Sequence, residues 1–142
     1  MVCKGEVYFI GEVIRSGEVS EIKIYPEFCE GLEGLEQFSH AIVLYWLHQR
    51  DDEKNRRTLK VTPRRHTLTL KVGVFATRSP SRPNPIGLCV VKIDEIKGCT
   101  LFVVGLDAFE GSPIIDVKPY LPRADVVIEA EAPEWTSKGP KT

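Results

Sequence analysis

The sequence predicts a mainly β protein, a small β-barrel that is closed or partly closed and carries long basic and proline-rich loops with little helix. Three observations lead there. Short runs of alternating or β-branched residues recur along the chain, each cut off by glycine, proline or a polar stretch. No β-α-β alternation and no internal repeat is present, so a parallel sheet with crossover helices is not indicated. A chain made mostly of strands must hide its edges, and a barrel does so by joining the last strand to the first.

Taken in order, residues 6–14 (EVYFIGEVI) are rich in β-branched and aromatic side chains and predict a strand. Residues 20–25 (SEIKIY) alternate, with Ile22 and Ile24 on one side, until Pro26 stops them. Residues 28–38 contain two glycines and a Leu32/Leu35/Phe38 spacing, which allows one or two helical turns. Residues 40–47 (HAIVLYWL) form a near-continuous apolar run and predict a buried strand. Residues 49–66 are polar and basic and predict a long mobile loop, extended only near Leu59. Residues 67–76 (TLTLKVGVFA) alternate and predict another strand. Residues 86–96 and 100–106 predict a hairpin around Lys97 and Gly98. Residues 107–122 predict a turn-rich segment, and residues 124–130 (ADVVIEA) a last strand. The domain is expected over residues 1–130, with a tail at 131–142 whose polar composition allows fraying and whose Trp135 suggests docking. Tyr45, Trp46 and Phe75 are expected in the core rather than as base-stacking platforms, and His40 as a satisfied core or turn histidine.

Composition narrows the function. The chain of 142 residues is 42% hydrophobic and 27% charged, ordinary for one globular domain. Its longest purely apolar run is the seven residues 41–47, far short of a bilayer span. The opening residues mix charge among apolar side chains and have no signal-peptide core, so a cytoplasmic location is expected. Cys3, Cys29, Cys89 and Cys99 form no C-x-x-C pair, and no H-E-x-x-H occurs, so no metal is expected. The cysteines read as small apolar residues; whether any two pair is not legible from spacing. Neither a G-x-G-x-x-G nor a P-loop motif is present. The net charge of −1 conceals a strong asymmetry, because residues 54–93 hold ten Lys or Arg and no acid. Such a segment points to a polyanion, nucleic acid first.

The stretch RSPSRPNPIG, residues 78–87, lies inside that basic segment. Proline fixes φ, removes a backbone donor and pushes the preceding residue toward extended geometry. Ser79, Arg82 and Asn84 each precede a proline, so the loop forms a stiff shelf that presents side chains.

Four segments, GEVIRS (11–16), FSHAIVLYWLHQ (38–49), GVFATRSPSRPNPIG (73–87) and GLDAFEGSPIIDVKPYLP (105–122), together resemble the TrmO family. The resemblance spans roughly residues 6–127 and implies a single-sheeted barrel that forms a homodimer. It also implies S-adenosylmethionine as cofactor and methylation of the N6 nitrogen of threonylcarbamoyladenosine, next to the anticodon of tRNA. By the same resemblance the cofactor contacts are His48, Gln49, Arg78, Leu88 and the turn holding Asp107, Glu110, Gly111 and Ser112. The family has aspartate and threonine where this chain has Glu110 and Ser112. Bacterial members also insert a P-R-Q loop after the first strand, whereas here Arg15-Ser16-Gly17-Glu18 runs almost directly into the next strand. The C-terminal extension domain of some bacterial members is not expected.

The implied chemistry assigns further roles. A guanidinium fits the cofactor carboxylate in a bidentate contact, which suits Arg78 or Arg82. For Arg78 the competing role is to clamp carbonyls of the proline loop. The acceptor N–H must lose a proton, so a general base is sought among Asp116 and Asp107, with Lys118 and Tyr120 on the same segment. Asp116 is equally suited to a structural bond with the proline loop, and Asn84 either to a hydrogen bond with the substrate or to turn support. Arg56, Arg57, Lys60, Arg64, Arg65 and Arg82 would grip the tRNA backbone. Two alternatives stay open: a methyltransferase with another acceptor, or a non-enzymatic RNA-binding barrel.

Overall fold

A computed structural model describes residues 3–63, 69–137 and 139. It divides into two compact units, the first formed by residues 1–46 and 88–120 and the second by residues 47–87 and 121–142.

The first unit is built on a closed, six-stranded antiparallel barrel. Its strands are β1 (Gly11–Arg15), β2 (Val19–Ile24), β3 (His40–Trp46), β6 (Ile86–Lys97), β7 (Thr100–Val104) and β8 (Pro113–Pro119). They run in the order β1-β2-β7-β6-β3-β8, and β8 returns to β1 through the pairs Gly11↔Ile114 and Glu12↔Pro113. Strand periodicity explains the interior. Val13, Ile22, Ile24, Ala41, Val43, Tyr45, Cys89, Val91, Leu101, Val103 and Ile114 all point inward and are buried. Gly11 lies at the seam because a Cβ there would sit 2.2 Å from the Lys23 carbonyl oxygen.

Several expectations change. The first strand begins at Gly11 rather than at residue 6; Val7, Tyr8 and Phe9 precede it as exposed, non-strand chain, with Phe9 against Trp46 and Tyr8 stacked on Phe28. Strand β3 is not buried on both faces but alternates, with Ile42, Leu44 and Trp46 half-buried outside. Residues 107–122 are not merely turn-rich, for they contain β8, which pairs with both β1 and β3. Pro113 and Pro119 stand at its two ends, where a missing N–H costs little. The expected hairpin forms, with Gly98 and Cys99 as its two turn residues and Gly98 at φ 61°.

The cysteines are not all unpaired small residues. Cys29 is bonded to Cys99, which ties the 3₁₀ turn Pro26–Leu32 to the β6–β7 hairpin tip. Cys3 and Cys89 are free, Cys89 inside the barrel.

In the second unit, the segment expected to be a mobile loop is structured through residue 63. It holds a 3₁₀ turn (His48–Arg50), the short helix α1 (Glu53–Arg56) and strand β4 (Lys60–Val61). Asp52 caps α1 by accepting from the Asn55 N–H at 2.7 Å. The remainder of that expected loop, residues 64–66, lies outside the described residues. The expected strand 67–76 contracts to β5 (Val72–Gly73), which pairs with β4, followed by a 3₁₀ turn (Val74–Ala76); residues 67 and 68 lie outside the described residues. The expected last strand, 124–130, is instead the end of helix α2 (Pro122–Asp125) followed by exposed chain; Pro122 starts a helical turn at its first position. Trp135 is half-buried on a 3₁₀ turn (Glu134–Ser137). Phe75 is not a core residue, being 78% exposed.

Candidate functional site

The second unit assembles one cluster around the proline loop. The Leu47 N–H donates to the Pro85 carbonyl at 2.7 Å, and Arg50 Nη1 donates to Ser81 Oγ at 3.1 Å. These two residues flank His48 and Gln49, so the backbone brings that pair onto the proline loop. Two further bonds fasten the loop. Ser81 Oγ donates to Asn55 Oδ1 at 2.6 Å, and Arg56 Nη1 donates to the Pro83 carbonyl at 2.9 Å. Prolines cannot supply donors of their own, which is why side chains of the preceding segment bond this loop.

The two arginines of the loop have different work. Arg82 Nη1 donates to the Thr77 carbonyl at 3.0 Å and to the Ser79 carbonyl at 2.9 Å. The carbonyl clamp considered for Arg78 is therefore filled by Arg82. Arg78 is exposed and has no hydrogen-bond or ion-pair partner among the described residues. Asn84 is exposed as well, and its carbonyl accepts from the Ile86 N–H at 2.8 Å, closing the turn before β6.

Charge concentrates in this unit. Residues 47–87 and 121–142 carry thirteen Lys or Arg and seven Asp or Glu, a net +6, against −7 for the barrel unit. All three carboxylates of residues 47–87 are engaged locally. Asp51 pairs with Arg56, Asp52 accepts from Asn55 and Glu53 pairs with Arg57. The bonds from Asn55 hold the Asp52 carboxyl below its ordinary range. Lys54, Lys60, Lys71 and Arg78 are left as exposed side chains with no ion-pair partner among the described residues. Of the expected phosphate contacts, Lys60 is open, Arg57 is exposed beside Glu53, and Arg56 and Arg82 hold the loop. Arg64 and Arg65 lie outside the described residues.

The barrel unit assembles the second cluster. Gly111, at φ 84°, donates its N–H to the Val13 carbonyl at 2.7 Å, and the Val13 N–H donates to the Ser112 carbonyl at 3.0 Å. Ser16, in the short β1–β2 connection, donates its N–H to Glu110 Oε1 at 3.3 Å and its hydroxyl to the Ala108 carbonyl at 3.1 Å. The turn holding Asp107, Glu110, Gly111 and Ser112 is thus fixed by β1 and the short β1–β2 connection. Tyr45 extends from the barrel interior to donate to the Asp107 carbonyl, while the Asp107 N–H meets Cys89 Sγ at 3.4 Å. Leu88 points outward from β6 and is 42% exposed.

Asp116 and Lys118 share the outer face of β8, opposite Leu44 and Ile42 in register. They pair at 3.1 Å, and the other Asp116 oxygen accepts from the Val117 N–H at 2.9 Å. Each carboxylate oxygen therefore has one partner within β8 itself. Asp116 also borders a cavity of about 510 Å³ whose walls include Ile10, Phe28, Leu32, Phe38 and Pro119. Tyr120 stands past the end of β8, edge-on to His40, which in turn contacts Ser39 Oγ at 2.7 Å. Among the described residues no group of three or more His, Cys, Asp or Glu could hold a metal, and no helix is long and apolar enough to cross a membrane.

Arg50, Asn55 and Ser81 carry the loop yet were not anticipated. The one local signal was the D-x-x-N spacing of Asp52 and Asn55; the contacts to Ser81 join residues far apart in sequence.

Fold and clusters define a closed antiparallel barrel protein with a basic, proline-stapled unit, distinct from dinucleotide-binding and P-loop proteins. The chain belongs to the tRNA-methyltransferase O N-terminal domain family, which it matches over residues 12–126. It is 53% identical over 105 residues, 74% of its own length and 72% of the relative's, to a protein of Methanothermobacter thermautotrophicus named "Probable S-adenosyl-L-methionine-binding protein". It is 50% identical over 116 residues, 82% of its own length and 79% of the relative's, to the S-adenosyl-L-methionine-binding protein of Archaeoglobus fulgidus. The crystal structure of TrmO from Pseudomonas aeruginosa superposes with a TM-score of 0.72 at 29% identity, covering 94% of this chain. This chain spans 62% of that crystallised chain.

Proposed function

We propose that this protein is an S-adenosylmethionine-dependent methyltransferase acting on the N6 nitrogen of threonylcarbamoyladenosine beside the anticodon of tRNA. Family membership and the names of its relatives support the cofactor and the reaction type. The acceptor, tRNA as partner and the homodimer belong to the proposal and rest on the resemblance of motifs; a cytoplasmic location belongs to it as well. The observation that carries it is the division of labour in the proline loop: Arg82 bonds to carbonyls, and Arg78 beside it remains an exposed, unpaired cation on a stapled support.

The residues present suit the cofactor. Arg78 offers a planar fork to its carboxylate, and His48 and Gln49 offer polar edges from the adjoining turn. S-adenosylmethionine, held by these residues, would supply a methyl group on a sulfonium that leaves as the neutral thioether, S-adenosylhomocysteine, while the acceptor nitrogen gives up its proton. The protein's part is to hold the acceptor in line and at near-attack distance. Asp116 keeps a free lone pair on each oxygen to take the proton, and its protonation would weaken the pair with Lys118 and free the ammonium for the substrate's threonyl carboxylate. The open cations Lys54 and Lys60 would meet tRNA phosphates.

The test is nucleoside mass spectrometry after incubating the protein with S-adenosylmethionine and tRNA that already carries threonylcarbamoyladenosine. A one-methyl mass gain on that nucleoside, lost in Arg78→Ala, is the expected result. Cofactor binding without that gain would move the acceptor elsewhere, and neither binding nor gain would leave an RNA-binding barrel.

A further inference from the structure

We propose that Phe75 is a stacking platform for an unpaired nucleobase of single-stranded RNA, set among cations that hold the flanking phosphates. The proposal rests on the reading of RNA as the partner.

The Phe75 ring is 78% exposed, which leaves most of its surface free to meet a ligand. The support beneath it is rigid. Val74, the preceding residue, is buried and donates its N–H to the Leu59 carbonyl at 2.9 Å. The Val74 carbonyl accepts from the Thr77 N–H at 3.1 Å and from Thr77 Oγ1 at 2.8 Å. Arg82 then holds the Thr77 carbonyl at 3.0 Å. The turn bearing Phe75 is thus fixed on both sides, and a ring on a fixed turn loses little conformational freedom when a base settles on it.

The surroundings select the partner. Lys60 lies opposite Gly73 in the β4–β5 register, and Lys71 immediately precedes β5. Both are exposed and without an ion-pair partner among the described residues, while every carboxylate of residues 47–87 is engaged elsewhere. A protein partner covering this surface would need acidic side chains to meet the cations. An RNA single strand supplies both parts in one repeat: a π face for the ring and phosphates for the cations. Leu59 and Leu70, 60% and 71% exposed, give the same small sheet an apolar margin on which base or ribose can lie.

The experiment is fluorescence anisotropy with a short labelled oligouridylate and with an abasic ribose-phosphate oligomer of the same length, over a salt series. Phe75→Ala should weaken oligouridylate binding by roughly tenfold, the scale of one lost stack, and leave the slope against salt unchanged. Phe75→Trp should retain binding, and the abasic oligomer should bind wild type and Phe75→Ala alike. Lys60→Gln should lower the salt slope by about 0.7, as for one lost phosphate contact on a single strand. Melting temperatures should not move for Phe75→Ala, because the ring is exposed. Equal oligouridylate binding by wild type and Phe75→Ala overturns the stacking role and leaves the RNA reading intact. Failure of the wild type to bind either oligomer or tRNA overturns the RNA reading, and this inference with it. A change in sedimentation with Phe75→Ala, at unchanged RNA affinity, would make the surface a protein contact and also overturn it.

Discussion

Breaking the Cys29–Cys99 bond should cost the barrel about 4 kcal/mol. The bond closes a loop with a sequence separation of 70, and restricting a loop of that length in the unfolded chain is worth about 4 kcal/mol in the chain-entropy account. For a chain of 142 residues the unfolding entropy near the midpoint is about 300 cal/mol/K, so the loss corresponds to a fall in melting temperature of roughly 13 °C. The crosslink also ties the 3₁₀ turn Pro26–Leu32 to the hairpin tip, so its loss should loosen the wall of the cavity beside Asp116. The assay is thermal unfolding of the wild type with and without a dithiol reductant, beside the Cys29→Ser/Cys99→Ser variant. Reduced wild type and variant should melt together, well below the oxidised protein, and the variant should ignore the reductant. Both cysteines found free by thiol counting in the native protein, or a variant melting within about two degrees of the oxidised wild type, would refute a stabilising crosslink.

Other consequences follow from the same geometry. Arg78→Ala should abolish S-adenosylmethionine binding in calorimetry without moving the melting temperature, whereas Arg82→Ala, which removes two carbonyl contacts, should destabilise the protein by about 1–3 kcal/mol in denaturant titration. Ile22→Ala, at a fully buried barrel position, should cost about 2–5 kcal/mol in the same titration. Gly11→Ala drives a Cβ to 2.2 Å from a backbone oxygen, so it should disrupt the β1–β2 seam and expose amides of both strands to hydrogen exchange. Asp52 has a depressed carboxyl pKa, so its contribution is present above the ordinary carboxylate range and is lost as pH falls through the depressed value. The Asn55 amide resonance should report that loss, and Asp52→Asn should flatten it.

Local patterns that repeat over several residues were legible in the sequence. The alternation in SEIKIY, the apolar run of residues 40–46 and the hairpin with its Gly98 turn each became barrel strands, because a period of two with one apolar face has few other stable homes. Of the expected strand 67–76 only Val72–Gly73 is strand among the described residues, paired with β4 in a separate two-stranded sheet, and the expected strand 124–130 does not form. There the chain finds no barrel neighbour to pair with, and Pro122 favours a helical start over a strand. Residues 113–119 show the converse: their prolines suggested turns, yet pairing with strands on both sides made them a strand.

The sequence by itself determined the fold class, the basic bias of residues 54–93 and the stiffness of the proline loop, because each follows from residue type and near-neighbour spacing. Only the tertiary structure decided which arginine is committed and which is open, that Cys29 meets Cys99, and that Phe75 faces outward. Those outcomes depend on contacts between residues distant in the chain. A guanidinium, a thiol or a ring has the same intrinsic chemistry wherever it occurs, and the groups that fold up beside it select its role.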